Sequence, residues 1–308
     1  MRTLKISLVV ASLFLCFVPM AAQSGGPDST KLGTVERDLT YCVANGVPLK
    51  LDAHYPAEAS GPLPVAMYVH GGGWHGGDKK GGAGSLDFEE LLSRGYLVIS
   101  VNYRLAPRYV FPAMIEDVKC AVRHLRATAD RYGLDPERIG AWGGSAGGHL
   151  VSLLGTADES AGLEGDGGYP EQSSRVQAVV EMFGPADLSV MFSGSTRTTL
   201  TTAFGATSAD DEILRLASPV TWISPDDPPF LLLHGEEDRL VPIEQSELLY
   251  EQLVEAGVPA TFVKVKNAGH GFKPEGGAIQ PTREEISRMM ADFFDEHVKG
   301  QVVQTSSD

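Results

Sequence analysis

The chain has 308 residues, 43% of them hydrophobic, and a formal net charge of −15 at pH 7. That excess of acid argues against nucleic acid or an anionic membrane surface as a partner, since both select basic patches. The three cysteines form no CxxC pair and join no His/Cys cluster, so no metal centre is expected.

The N-terminus reads as an export leader. Arg2 and Lys5 precede an apolar stretch from Ile6 to Val18 that is too short for a comfortable membrane span, and small residues Ala21, Ala22 and Ser24 follow. The expectation is a cleaved signal over residues 1–24 and a secreted or periplasmic product. Cys16 follows Leu15, which is large for a lipoprotein cleavage site, so neither a lipid anchor nor other stable membrane association is expected. Residues 25–299 have the length of one large domain, with no repeat or linker dividing them, and 300–308 form a polar tail. Cys42 and Cys120 remain beyond the leader. Export permits a disulfide, but the spacing sets no distance between them, and the expectation is two separate buried thiols.

The first elements are an alternating pair, Val35–Cys42 and Val47–Tyr55, with Asn45-Gly46 as the hairpin turn. A strand follows over Pro64–Val69, a helix over about Ser85–Arg94, and a β-branched strand over Leu97–Val101. Pro112 opens a helix reaching about Arg131, with Ile115, Val118, Val122 and Leu125 on one face. Next come strand Ile139–Trp142, a helix after Ser145, and strands Val176–Met182 and Phe230–His234. The chain closes with helix Ile243–Glu255, strand Ala260–Val265 and helix Arg283–Glu296. This alternation predicts an α/β fold with a mostly parallel central sheet and helices on both faces. Two stretches break the rhythm. Asp158–Ser174 reads as a loop, and residues 189–227, with a short helix near Ala209–Ala217, read as a small lid insertion or pocket wall.

Four motifs carry chemistry. The run Gly143-Gly144-Ser145-Ala146-Gly147 is a G-x-S-x-G turn between strand and helix, in which flanking glycines allow a strained, exposed serine. His70-Gly71-Gly72-Gly73-Trp74 follows a strand directly, and its glycines let backbone N–H groups approach a substrate oxygen. The acidic loop Glu236-Glu237-Asp238 ends a third apolar run, and His270 lies in a Gly-rich loop after a fourth. The chain order Ser145, Asp238, His270 matches one of the known arrangements of a Ser-acid-His triad. Glu236, Glu237 and Asp187 are rivals for the acid. The oxyanion donors are expected at the N–H groups of Ala146, Gly72 and Gly73, and Trp74 is a candidate pocket residue. His149, one helical turn beyond Ser145, is expected to pack or to support the site. His54, His75, His124 and His297 belong to no motif and are expected to be structural or superficial.

These motifs resemble those of α/β-hydrolase carboxylesterases with an HGGG loop, which are related to the hormone-sensitive-lipase-like esterases. Asn102-Tyr103-Arg104-Leu105-Ala106-Pro107, Phe183-Gly184-Pro185-Ala186-Asp187-Leu188, HGEEDRLVP and GHGF are most similar to the bacterial acetyl/feruloyl esterase-like group, over roughly residues 35 to 298. Gly144, where the lipase-like enzymes usually carry an acid, and the lack of a long N-terminal helical cap both favour that group. The resemblance implies a serine carboxylic ester hydrolase for short acyl esters, acetyl or feruloyl, free or linked to plant polysaccharide. It implies no cofactor and gives Tyr103 and Asp117 bracing roles. A serine peptidase related to prolyl oligopeptidases shares the turn but usually carries a β-propeller, for which this chain has no room. A non-catalytic binding module would have no use for an intact triad. The sequence is silent on oligomeric state.

Overall fold

The computed structural model describes residues 32–300 apart from 59, 60, 83, 86, 87 and 195. The leader over 1–24 and all of the tail beyond Gly300 lie outside the described residues. The expected hairpin forms from β1 (Leu32–Ala44) and β2 (Val47–Pro56), paired antiparallel. Its turn has Asn45 at φ 49° and Gly46 at φ 76°, the two left-handed residues that an Asn-Gly hairpin supplies.

The remaining strands of the main sheet are β3 (Leu63–Val69), β4 (Leu97–Val101), β5 (Leu134–Gly144), β6 (Ala178–Met182), β7 (Phe230–Gly235) and β8 (Ala260–Val265). They form one eight-stranded sheet in the order β1-β2-β4-β3-β5-β6-β7-β8. β2 runs antiparallel to β4, and every pairing from β4 to β8 is parallel. β3, β4, β6 and β7 are buried along their whole length, as strands covered on both faces must be.

Helices cover both faces. On one lie α1 (Phe88–Ser93) and the final helix, which spans Arg283–His297, with Leu91, Leu92, Ile286, Met290 and Phe294 in the core beneath them. On the other lie α2 (Ala113–Ala127), a short α3 (Ala129–Tyr132), α4 (Ala146–Thr156) and a later helix, Glu244–Glu255. β3 shows how the pleat divides its side chains: Val65, Met67 and Val69 face the second core, Ala66 and Tyr68 the first. From β3 the chain moves to β4 on one side and later to β5 on the other. The ends of β3 and β5 therefore meet at a reversal of strand order, where parallel sheets open a crevice.

The structure departs from the sequence expectations in three places. The helix after Pro112 breaks at Thr128, whose hydroxyl and N–H both donate to the His124 carbonyl, so α2 ends and α3 begins. Within 189–227, the threonine-rich stretch is itself helical, α5 (Thr196–Phe204), and the shorter α6 (Glu212–Leu216) follows. The third departure is covalent: Cys42 and Cys120 are joined as a disulfide, with Cα atoms 6.5 Å apart. β1 and α2 are packed together, Tyr41 lying beside His124, and that tertiary contact brings together cysteines 78 positions apart. Among the described residues, no helix is long and apolar enough to cross a membrane.

The disulfide closes a long loop, and such a link removes conformational freedom from the unfolded chain. The double variant Cys42→Ala/Cys120→Ala should lose about 2–4 kcal/mol relative to the oxidised protein in urea unfolding, and reduction of the wild type should reproduce the loss.

Candidate active site

The G-x-S-x-G turn is fixed by backbone crowding. A Cβ on Gly147 would fall 2.1 Å from the Val69 carbonyl oxygen, and one on Gly143 would fall 2.6 Å from the same oxygen. The start of α4 thus rests on the end of β3 with no room for side chains. Ser145 bridges β5 and α4 at φ 58°, ψ −121°, a strained conformation for a residue with a side chain. Its N–H donates to Met182 O of β6 at 2.9 Å, which holds the turn open toward the crevice.

The other two predicted residues converge on it. His270 Nε2 lies 3.0 Å from Ser145 Oγ, and His270 Nδ1 lies 2.7 Å from Asp238 Oδ2. The second oxygen, Asp238 Oδ1, accepts the N–H groups of Leu240 and Val241 at 2.9 and 3.0 Å. Burial alone raises the Asp238 carboxyl, but its contacts with His234 and His270 and the Val241 N–H outweigh it, holding the group well below the usual carboxylate range. A permanent carboxylate requires the hydrogen on His270 Nδ1 and leaves Nε2 free to accept from the serine hydroxyl. The rival acids stand elsewhere. Glu236 and Glu237 are exposed, and Asp187 accepts from the N–H and hydroxyl of Ser189.

The HGGG loop lies against the nucleophile turn. A Cβ at Gly71 would come within 2.7 Å of the Gly144 carbonyl oxygen. The loop turns back on itself, the Gly72 carbonyl accepting from His75 and Gly76. Lys79 anchors its far end, buried and paired with Asp38 at 2.8 Å and Asp52 at 2.9 Å. Tyr103 stacks on His70 with ring centres 4.3 Å apart and donates to the His70 carbonyl. Asp117 pairs with Arg104 on the same side. Gly72, Gly73, Ser145, Ala146 and His270 all border one cavity of about 560 Å³. As the first residue of α4, Ala146 has an N–H without an intrahelical acceptor.

Trp74 borders that cavity too, and its placement reveals a role for His149. The Trp74 indole N–H donates to His149 Nδ1 at 3.2 Å, so the other ring nitrogen carries the hydrogen and donates to Ala217 O at 2.7 Å. His149 therefore ties the HGGG loop on one side to the 189–227 excursion on the other. Phe204 of α5 packs edge-on against Trp74, and Met191, Thr196, Thr199 and Leu200 complete that wall of the cavity. His75, expected to be structural or superficial, is exposed and also borders the cavity, beside Gly73. Sequence reasoning missed His234, although that residue closes the apolar run leading to the acid.

A family model described as BD-FAE matches residues 51–253, well over half the sequence. The chain belongs to the BD-FAE family. It is 34% identical over 244 residues to a *Mycobacterium tuberculosis* protein named probable carboxylic ester hydrolase LipM, covering 77% of this chain and 56% of the relative. It is 33% identical to esterase LipC of the same organism, covering 73% and 57%. The chain thus spans little more than half the length of these curated relatives. Among solved structures, a truncated carbohydrate esterase from gut microbiota superposes with a TM-score of 0.79 at 30% identity, covering 89% of this chain and 99% of that one. An acetyl ester-xyloside bifunctional hydrolase from *Caldicellulosiruptor lactoaceticus* superposes with a TM-score of 0.68 at 26% identity, covering 82% and 89%. The fold is that of the α/β-hydrolase esterases.

Burial lowers the His149 imidazole to about 4, against the bond to Ala217, which acts the other way. A folded-state value below the ordinary 6.5 means that the unfolded chain binds this proton first as pH falls. The contribution of neutral His149 to stability is therefore intact above about pH 6.5 and is lost between there and about pH 4. His149→Gln should lose less Tm than the wild type across that window, when the two are followed by thermal melts at stepped pH.

Proposed function

We propose that this chain hydrolyses carboxylic esters through an acyl-enzyme on Ser145. One observation carries the reading: Ser145 Oγ, His270 and Asp238 form a continuous hydrogen-bonded chain on a strained turn at the floor of a cavity. The esterase names of its relatives support it. In the first half-reaction, Ser145 Oγ attacks the ester carbonyl carbon as its proton passes to His270 Nε2. Asp238 holds the imidazole in the competent tautomer and stabilises the imidazolium. Ala146 N–H, with those of Gly72 and Gly73, supplies the oxyanion hole. Collapse of the tetrahedral intermediate breaks the ester C–O bond, and the leaving alcohol takes the proton from His270. Water then gives a proton to the same nitrogen and attacks the acyl carbon; the bond from that carbon to Ser145 Oγ breaks, His270 returns the proton to the serine oxygen, and the acid leaves.

The cavity, of about 560 Å³, has room for an acyl group together with part of the alcohol it esterifies. Phe183, Leu188, Met191, Leu200, Leu240 and Val241 make much of its lining apolar, and Trp74 bounds it beside the oxyanion glycines. The excursion over 189–227 serves as a wall of this pocket. The preferred substrates are short acyl esters, such as acetyl or feruloyl groups on plant polysaccharide. Relatives named as carbohydrate and acetyl ester hydrolases support that preference. An export leader over residues 1–24 suits a polymer substrate outside the cell. The mechanism needs no cofactor.

Hydrolysis of p-nitrophenyl esters from acetate to laurate tests this reading. Turnover should peak at acetate or butyrate and vanish in Ser145→Ala; no Ser145-dependent turnover at any chain length would overturn it. Asp238→Asn should lower kcat by about 10,000-fold, because an amide stabilises the wrong tautomer of His270.

A further inference from the structure

Asp238 is shared by two imidazoles, and the second leads into the core. His234 Nε2 lies 2.9 Å from Val241 O and 3.5 Å from Asp238 Oδ2, the same oxygen that His270 uses. On its other side, His234 Nδ1 lies 2.7 Å from Ser246 Oγ, and Ser246 Oγ lies 2.9 Å from Glu181 Oε2. Glu181 Oε1 accepts the Gly184 N–H. Glu181, His234 and Ser246 are all completely buried, on β6, β7 and the helix Glu244–Glu255. The mechanism above uses none of the three.

The hydrogens in this chain can be counted. A carbonyl such as Val241 O only accepts, so Nε2 of His234 carries a hydrogen. An N–H such as that of Gly184 only donates, so Glu181 Oε1 accepts. Two short contacts remain, one on each side of the Ser246 oxygen, and each needs a hydrogen. The hydroxyl supplies one, and the other belongs either to His234 Nδ1 or to Glu181 Oε2. With neither protonated, two lone pairs would face each other across one short contact. With both protonated, the hydroxyl hydrogen would have no acceptor. The chain therefore holds one shared proton, and Glu181 and His234 together carry no net charge. Consistent with that sharing, burial pushes the Glu181 carboxyl up to about 7, partly offset by His234, the Gly184 N–H and Ser246.

We infer that Glu181, Ser246 and His234 form a buried relay whose single proton adjusts the charge facing Asp238, making them positioning residues for the triad. With the proton on His234, Asp238 faces a second cation, and its hold on His270 is weakened. As His270 takes the Ser145 proton, the relay shifts. The His234 Nδ1–H bond breaks as a new O–H bond forms on Ser246, and the original hydroxyl proton passes to Glu181 Oε2. Asp238 is then left with one cation instead of two. No proton enters or leaves the core, because the relay ends at Glu181.

The kinetic part of this inference rests on the esterase reading, and a spectroscopic part does not. In a folded Ser246→Ala protein, verified by its Tm, kcat should fall about tenfold, the effect of one pKa-unit's worth of free energy. KM should stay within about twofold, since the relay touches no substrate. Ser246→Thr, which keeps the hydroxyl, should restore kcat. The downfield proton resonance of the His270–Asp238 bond should move in Ser246→Ala. It should also move in Glu181→Gln, which keeps every hydrogen bond but stops His234 carrying the proton and so serves if the alanine variant fails to fold. An unmoved resonance in folded Glu181→Gln overturns the relay, as does an unchanged kcat in folded Ser246→Ala. If the wild type turns over no ester, the esterase reading fails, and the resonance still decides the relay.

Discussion

The site depends on the close packing of two strand ends. The carbonyl of Val69, at the tip of β3, lies where a Cβ of either Gly143 or Gly147 would have to go. That contact brings the HGGG loop and the nucleophile turn together at the point where the strand order reverses. A larger residue at either glycine would push α4 away from β3, and Ser145 would lose both its strained geometry and its place beside the loop. Backbone strain of this kind persists only when the surroundings over-determine it. Here the determinants are the two glycines, the Ser145 N–H bond to Met182, and strands buried on both faces.

Around this pivot the chain builds two kinds of support. One is polar and braces the HGGG loop: Lys79 between Asp38 and Asp52, Tyr103 on His70, and Trp74 on His149. The other runs beneath Asp238, where two backbone N–H groups and two imidazoles converge on one carboxylate. Both sets place polar atoms in the core, where an unmatched group would be costly. The braces of the loop come from elements distant in sequence, whereas Asp238 draws on its own neighbourhood and on the distant His270. His149 illustrates the coupling. Its two ring nitrogens join the loop after β3 to the excursion after β6, so the oxyanion loop and the far wall of the cavity share one buried anchor.

Much of this was legible in the sequence. The sheet strands follow from apolar runs bounded by turn residues. Strand Leu97–Val101 and strand Ala260–Val265 match their expected limits, because turn signals flank them closely. The elements read least well were those whose signal is tertiary. Thr196–Phe204 is rich in threonine, a weak helix former, and becomes a helix with Leu200, Ala203 and Phe204 buried beneath it. Helix α2 ends at Thr128 because a side chain competes for the His124 carbonyl, an effect that periodicity does not register.

The sequence by itself determined the serine and the histidine of the triad, a short set of candidate acids headed by Asp238, the loop beside them and the alternation of strand and helix. Each of these is written in local steric demands: glycine where the backbone must pass closely, apolar runs where both faces are buried. Only the tertiary structure decided which acid faces His270, that Cys42 meets Cys120, and that Glu181, Ser246, His234 and Asp238 lie in one line. These pairings join residues from separate strands, helices and loops. Their separations are set by how the layers pack, which no spacing along the chain encodes.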